Sequence, residues 1–213
     1  MPMLLSTTKQ SAAEAISAAC GQLAAGKHLI LVDDLRRHGE AVMVLAGSHA
    51  TTESIAYMVR HTSGLLRVAL PQRVGERLQL QPMQCRSTEP HGTDYCVSVD
   101  SVETTTGISA ADRARTISDL ANSDTTHTDL IRPGHVIPVL ARPGGVSELP
   151  GRAESIVDLM NRALLPPAGV YAEIITEDGT GDVAKGRPLT AFARSQGLPV
   201  LTISNLFHAR GSR

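Results

Sequence analysis

A cluster of charged residues directly after a short apolar run is the first candidate for chemistry in this chain. It combines three carboxylates, two arginines and one histidine within eight residues, beginning at Asp33 and ending at Glu40. Carboxylates beside cations can keep pKa values suited to proton transfer, and the arginines could hold a phosphorylated sugar. A solvated charged loop is the competing explanation of the same residues.

Three further segments combine polar side chains with turn residues. Arg60 and His61 precede Ser63 and Gly64 at a helix end, residues 104–107 offer hydroxyl and amide donors before a helix, and His135 follows a Pro-Gly turn. Donors at a helix start suit an anion, and an imidazole can serve as acid, base or ligand. Each segment also has a structural explanation, respectively a helix C-terminus, a capping loop and a structural histidine.

The elements that must position these residues alternate between helices and strands. Apolar residues at three- and four-residue steps predict helices, and alternating or continuous apolar runs predict strands. Residues 131–151, rich in proline and glycine, predict a stiff, turn-rich site wall. The pattern predicts an α/β fold, a single layered domain over residues 1–213, with helices over 12–25, 51–60, 110–122, 154–163 and 189–196 and strands over 28–32, 42–46, 65–70, 95–102, 169–176 and 198–203.

Composition excludes several function classes. The net charge of -1, with scattered Lys and Arg, and five aromatic residues argue against nucleic acid and anionic membranes as partners. Three cysteines leave one unpaired in any disulfide scheme and form no metal motif, which favours a reducing compartment. We therefore expect a cytoplasmic protein that acts on a small molecule.

Three motifs carry a resemblance to a known family. They are the run from Thr105 to Arg113, the segment Arg132-Pro133-Gly134-His135-Val136, and the segment Arg60-His61-Thr62-Ser63-Gly64. In order and spacing they resemble 3,4-dihydroxy-2-butanone 4-phosphate synthase, the riboflavin-biosynthesis lyase that converts ribulose 5-phosphate and releases formate. Agreement is strongest over residues 24–203. The resemblance implies that family's α/β sandwich and a homodimer with active sites at the subunit interface.

The resemblance also implies roles for individual residues. The resemblance implies catalytic roles for Asp33, Glu40, His135 and Glu173, which match family positions. It implies substrate contacts for a further set: Arg37, Thr88, Thr93, Thr105, Asp112 and Arg132.

Two family motifs are altered where the family binds magnesium and phosphate. In the acidic loop, the metal-binding glutamate falls on His38. In the motif Thr-Arg-Gly-Gly-His-Thr-Glu-Ala, the phosphate arginine falls on Leu149, the metal-binding histidine on Arg152 and the phosphate-contacting threonine on Ala153. Magnesium prefers oxygen ligands and arginine has no acceptor, so we expect no magnesium site and no other cofactor.

Arg152 is itself a candidate catalytic residue, because a guanidinium can stabilise a developing enolate as a metal does. The sequence leaves three hypotheses open. The first is an enzyme that enolises a hydroxy-ketone or sugar-phosphate-like substrate without magnesium. The second is the family's ordinary ribulose 5-phosphate lyase, and the third is a non-catalytic homologue that binds a ligand or a partner subunit.

Overall fold

The computed structural model describes residues 9–36, 39–83 and 94–210, with side chains from residue 12 to residue 209. The predicted substrate contacts Arg37, Thr88 and Thr93 lie outside these ranges, as does His38. The helices are α1 (Lys9–Ala24), α2 (Thr52–His61), α3 (Gln72–Arg77), α4 (Ala110–Ala121), α5 (Arg152–Arg162), α6 (Gly186–Gln196) and α7 (Ile203–Arg210). The strands are β1 (Leu29–Asp33), β2 (Glu40–Ala46), β3 (Arg67–Pro71), β4 (Asp94–Tyr95), β5 (Val99–Ser101), β6 (Leu130–Ala141), β7 (Gly169–Glu173) and β8 (Val200–Thr202).

The strands form a mixed sheet in the order β4–β6–β3–β7–β2–β1–β8, and β5 pairs separately with β6. Side chains alternate between its faces, so that Leu29 and Leu31 enter one apolar cluster while Ile30 enters the other. Helices α1, α5 and α7 cover the first face, and α2, α3, α4 and α6 cover the second. The predicted layered α/β sandwich is confirmed.

Local sequence explains where two helices of the second face, α4 and α2, begin. The Ser109 side chain accepts a hydrogen bond from the Asp112 amide at the start of α4, as the sequence predicts for an N-cap. Thr51 forms a capping box with Ser54 at the start of α2. Both helices therefore begin within one residue of their predicted starts, and the helices pack against each other.

Two sequence predictions are wrong about strands. The turn-rich wall over 131–151 contains all but the first residue of the 12-residue strand β6, in which the Pro138 carbonyl accepts the Cys96 amide at 2.9 Å. The single strand over 95–102 is divided into β4 and β5. The chain changes partners between them, since the Cys96 amide bonds to Pro138 and the Val97 amide bonds to Gln81.

Helix α7 replaces the end of the last predicted strand. Its start is held by Asp34, whose carboxylate accepts the Ser204 amide at 3.1 Å and the Ser204 hydroxyl at 2.5 Å. This cap joins residues that are 170 positions apart, so no local pattern predicts it. Among the described residues, no helix is long and apolar enough to cross a membrane.

His28 provides a test of how the second face is packed. Burial lowers the pKa of its imidazole, and the hydrogen bond to the Ser54 carbonyl (3.2 Å) partly opposes that effect. The unfolded chain therefore binds the additional proton more readily than the folded protein, and stability falls as the pH drops below the ordinary histidine pKa of about 6.5.

We expect the His28→Gln variant, whose amide can still donate to Ser54, to lose less stability than the unmodified protein between about pH 8 and about pH 5.5. Urea denaturation midpoints at the two pH values measure the loss for each protein. An equal loss in both proteins would show that His28 does not contribute.

Candidate active site

Three carboxylates meet at one edge of the sheet because of strand register. Asp33 ends β1 and pairs with Glu40, which begins β2. Glu173 ends β7 and pairs with Val42, two residues after Glu40. Side chains two residues apart on a strand point to the same face, so the register brings Asp33, Glu40 and Glu173 together although they are far apart in sequence.

Arg152, the first residue of α5, extends its guanidinium between these carboxylates. Its Nη1 donates to Glu173 Oε1 at 2.9 Å and its Nη2 donates to Glu40 Oε2 at 3.0 Å. Its Nε lies 3.6 Å from Asp33 Oδ2. A cation is disfavoured at a helix N-terminus, and the carboxylates offset that cost. The predicted catalytic residues Asp33, Glu40, Glu173 and Arg152 thus form one cluster.

A second arginine, Arg67, lies behind this cluster and is not predicted by the sequence analysis. Its Nη2 forms an ion pair with Glu173 Oε2, and its Nη1 donates to the Tyr95 hydroxyl at 3.3 Å. Its guanidinium carbon lies 5.0 Å from the centroid of the buried Tyr171 ring. The sequence contains one local sign of this role, a cation inside the apolar run 65–70. A cation buried in such a run requires a partner.

The cluster borders a cavity of about 290 Å³. Leu149 and Ala153 contribute apolar wall where the resemblance expects a phosphate arginine and a threonine. Glu154 also lines the cavity. Burial raises the pKa of its carboxyl group, and the Arg142 amide, which donates to Glu154 Oε1 at 2.9 Å, partly opposes that effect. The cavity therefore contains a carboxyl group that is easier to protonate than an exposed one.

His135 belongs to a second cluster, on the side of the molecule where β5 pairs with β6. Its Nδ1 lies 2.7 Å from Asp100 Oδ2, and its amide donates to Asp100 Oδ1 at 2.9 Å. When Nδ1 carries the proton, Nε2 is the acceptor, and 41% of the side chain is exposed. Gly107 is required here, because its φ is +79° and an added Cβ would lie 2.0 Å from Asp100 Oδ2.

Asp112, in the first turn of α4, holds the loop that contains Thr105 and Gly107 beside His135. The Asp112 carboxylate accepts the Thr105 amide at 3.2 Å, the Thr105 hydroxyl at 3.0 Å and the Gly107 amide at 3.2 Å. The bond from the Thr105 amide is the largest cause that lowers the pKa of Asp112. These bonds hold the loop in shape, and substrate contact by either residue stays a prediction.

Arg132 directs its guanidinium towards the main chain. It donates to the carbonyls of Leu78 at 2.6 Å, Leu130 at 2.9 Å and His127 at 3.1 Å. It thereby joins the segment 127–132 to Leu78 at the end of α3. Its predicted contact with a substrate finds no support in these bonds and stays a prediction.

The predicted site residues therefore fall into two groups within one chain. Four of them surround the cavity, whereas His135, Thr105, Asp112 and Arg132 are absent from the residues that line it. Asp34, which belongs to the same charged loop as Asp33, caps α7.

The ion cluster makes the stability of the protein depend on Arg152. Removing one partner of a buried ion pair costs about 3–5 kcal/mol, because the opposite charges stay buried without compensation. We expect Arg152→Met to lose stability in this range at neutral pH.

Urea denaturation of Arg152→Met and of a control variant at neutral pH measures this effect. Arg162→Met is the matched control, because Arg162 is an exposed arginine on the same helix. Surface changes are usually worth within about 0.5 kcal/mol. Equal losses for Arg152→Met and Arg162→Met would contradict the arrangement described above.

Comparison with known proteins agrees with this architecture. Residues 17–209 match the family model of 3,4-dihydroxy-2-butanone 4-phosphate synthase. The chain is 43% identical over 194 residues to the riboflavin biosynthesis protein RibBA of Nocardia farcinica, covering 91% of this chain and 47% of that protein. RibBA of Mycobacterium tuberculosis strain H37Rv is 41% identical over 198 residues, which cover 92% and 47% of the two chains. The chain thus spans about half the length of the curated relatives it matches.

Solved structures resemble this chain over most of its length. A 3,4-dihydroxy-2-butanone 4-phosphate synthase in complex with two magnesium ions is 36% identical with a TM-score of 0.84, covering 92% of this chain and 97% of that one. The two-domain synthase RibBX from A. baumannii is 36% identical with a TM-score of 0.86, covering 92% and 57%. With the family-model match and the identity to RibBA, these findings show that the chain belongs to the 3,4-dihydroxy-2-butanone 4-phosphate synthase family.

Proposed function

We propose that this chain is a lyase-like enzyme that enolises a hydroxy-ketone or sugar-phosphate-like substrate with Arg152 in place of magnesium. The observation that carries the proposal is the guanidinium of Arg152, which lies between Asp33, Glu40 and Glu173 at the cavity. A buried cation beside a carboxylate is the pair of groups that enolisation needs, since one stabilises the developing enolate and the other accepts the proton.

The bonds of Arg152 leave it able to bind a ligand. A guanidinium has five N–H groups, and the bonds to Glu173 and Glu40 use one N–H each on Nη1 and Nη2. Each of these nitrogens therefore keeps a second N–H. Two such groups in one plane suit the adjacent oxygens of an enediolate, and an ammonium group lacks that geometry.

Glu40 is the proposed proton acceptor. Its side chain is 32% exposed, compared with 16% for Glu173 and 3% for Asp33. One of its oxygens accepts the bond from Arg152, and the other has no hydrogen bond among the described residues. Asp33 and Glu173 are then the groups that hold Arg152 in place.

The residues present do not fit a magnesium ion between the three carboxylates. The guanidinium of Arg152 occupies that space, and it has no lone pair to donate to a metal. We therefore derive no chemical step through magnesium, and we propose that no other cofactor takes part. We also propose a cytoplasmic location, a compartment in which cysteines such as Cys20 and Cys96 stay reduced.

The ordinary reaction of the family is the second candidate. The observation that favours it is the close grouping of Asp33, Glu40 and Glu173, all at family positions. This candidate requires magnesium to enter among these carboxylates after Arg152 moves away. The first two experiments below separate the two candidates, and a protein without any activity would support the third, a non-catalytic binding partner.

Magnesium should leave the thermal stability unchanged. A ligand that binds only the folded state at 100 times its Kd stabilises it by about 2.7 kcal/mol, which a melting curve detects readily. We expect no shift across tenfold steps of magnesium, and a shift in the double variant His38→Glu, Arg152→His, which restores the family residues. An upward shift in the unmodified protein that a chelator abolishes would contradict the proposal.

Activity should depend on the shape of Arg152 and on the proton acceptor. We expect Arg152→Lys to reduce kcat about 10- to 100-fold, because an ammonium cannot form two parallel bonds, and Glu40→Gln to reduce it at least as far. Two assays measure the activity. The first detects formate released from ribulose 5-phosphate, and the second detects enolisation of unphosphorylated ribulose as deuterium exchange with the solvent.

Glu148→Gln is a control that removes a carboxylate at some distance from the ion cluster, where it accepts the Gly144 amide. An ordinary rate of formate release that Arg152→Lys leaves unchanged would favour the second candidate. An unmodified protein that is inactive in both assays would contradict both enzymatic candidates.

A homodimer would join the two groups of site residues. Two exposed isoleucines lie near His135, because Ile131 is opposite Asp100 in the β5–β6 pair and Ile108 follows Gly107. Exposed apolar side chains beside a candidate catalytic histidine are compatible with an interaction surface. We propose that this surface binds a second copy of the chain and presents His135 to the partner's cavity.

Subunit mixing tests the shared site. We expect Arg152→Met and His135→Asn each to be inactive alone, and a mixture exchanged at equal concentration to recover about a quarter of the unmodified activity, because half the dimers are mixed and each contains one intact site. No recovery from a mixture shown to form mixed dimers would contradict a site shared between subunits.

A further inference from the structure

Arg67 is a buried cation that the proposed chemistry does not use. Only 6% of its surface is exposed, and its position on β3 lies opposite Tyr171 on β7. A charged side chain buried to this degree requires specific partners. Its partners are the Tyr95 hydroxyl, the face of Tyr171 and one oxygen of Glu173.

Glu173 connects Arg67 to Arg152. Its Oε1 accepts from Arg152 Nη1 at 2.9 Å, and its Oε2 pairs with Arg67 Nη2 and lies 3.4 Å from the Ser63 hydroxyl. Both oxygens are therefore committed to a guanidinium. A carboxylate held from both sides has one orientation, and that orientation fixes where Arg152 can place Nη1.

We propose that Arg67 is a positioning residue that fixes Glu173 and, through it, the guanidinium of Arg152 at the cavity. The catalytic importance of that position rests on the function proposed above, whereas the coupling between the two arginines does not. The competing explanation is that Arg67 only neutralises a buried charge and stabilises the sheet. The two explanations differ in whether Arg152 changes its surroundings when Arg67 is replaced.

The contacts of Arg67 require a guanidinium. Nη1 donates to Tyr95, Nη2 pairs with Glu173, and the guanidinium carbon lies over the Tyr171 ring. A lysine has one nitrogen on a flexible stem, so it can keep the charge next to Glu173 but cannot hold Tyr95 at the same time. Arg67→Lys should therefore restore part of the effect that Arg67→Met removes.

The test uses the full chain labelled with ¹⁵N-arginine, in which each Nε–H gives a separate nuclear magnetic resonance signal. Arg152→Lys identifies the Arg152 signal by its loss. In Arg67→Met we expect that signal to shift or broaden, and in Arg67→Lys to shift less. Arg113→Met is the matched control, because Arg113 is 7% exposed and donates to the Gly64 carbonyl.

An Arg152 signal that stays unchanged in folded Arg67→Met would overturn the proposal. A shift of equal size in Arg113→Met would also overturn it, since the effect would then be a general loosening of the core. If Arg67→Met does not fold, Arg67→Lys decides alone, with a shift supporting the coupling and an unchanged signal contradicting it.

Kinetics adds the functional consequence. A misplacement of about 1 Å at a catalytic group costs about 100-fold in rate, so we expect Arg67→Met to lower kcat about 10- to 100-fold with little change in KM. Arg67→Lys should recover part of kcat. An unmodified protein without activity would contradict the proposed function, while the Arg152 signal would still decide whether Arg67 positions it.

Discussion

The ion cluster around Arg152 is the interaction on which the arrangement of the cavity depends. Asp33, Glu40 and Glu173 lie together because β1, β2 and β7 are neighbours in the sheet, and three buried or half-buried carboxylates repel one another without a cation. The guanidinium that compensates them comes from α5, on one face of the sheet. The start of α5 is therefore tied to the ends of three strands by charge as well as by apolar packing.

The cavity is lined by three glutamates whose surroundings differ. Glu173 has both oxygens paired with guanidiniums, whereas Glu40 is more exposed and has one oxygen paired with Arg152. Glu154 lies in the same cavity with a pKa raised by burial. Three identical side chains thus differ in their surroundings: Glu40 has one oxygen bonded to Arg152, Glu173 has both oxygens bonded to guanidiniums, and Glu154 has a carboxyl group that retains its proton more readily.

Much of the fold could be predicted because apolar periodicity follows local geometry. The sequence places α2, α4 and the central strands within a few residues of their observed bounds, since each has a clear apolar pattern and a cap or turn. It fails for β6, where the prolines suggest turns and strand pairing decides otherwise, and for α7, whose start is held by Asp34 from the other end of the chain. These features depend on contacts between distant segments.

The candidate site could likewise be predicted only in part from the sequence. Family motifs indicate Asp33, Glu40, Glu173 and Arg152 one by one, and their grouping around the guanidinium follows only from the register of β1, β2 and β7. Arg67 was missed because it lies inside a strand and outside every motif, although a cation in an apolar strand is itself a signal of a buried partner. The bonds of Arg132 to three carbonyls could not be predicted from its motif.

A crystal structure of the unmodified protein grown with excess magnesium would show what lies between the three carboxylates. We expect the guanidinium of Arg152 between Asp33, Glu40 and Glu173, with Nη1 and Nη2 bonded to Glu173 and Glu40 and no metal among the three carboxylates. A magnesium ion coordinated by these carboxylates, with Arg152 turned away from them, would contradict it.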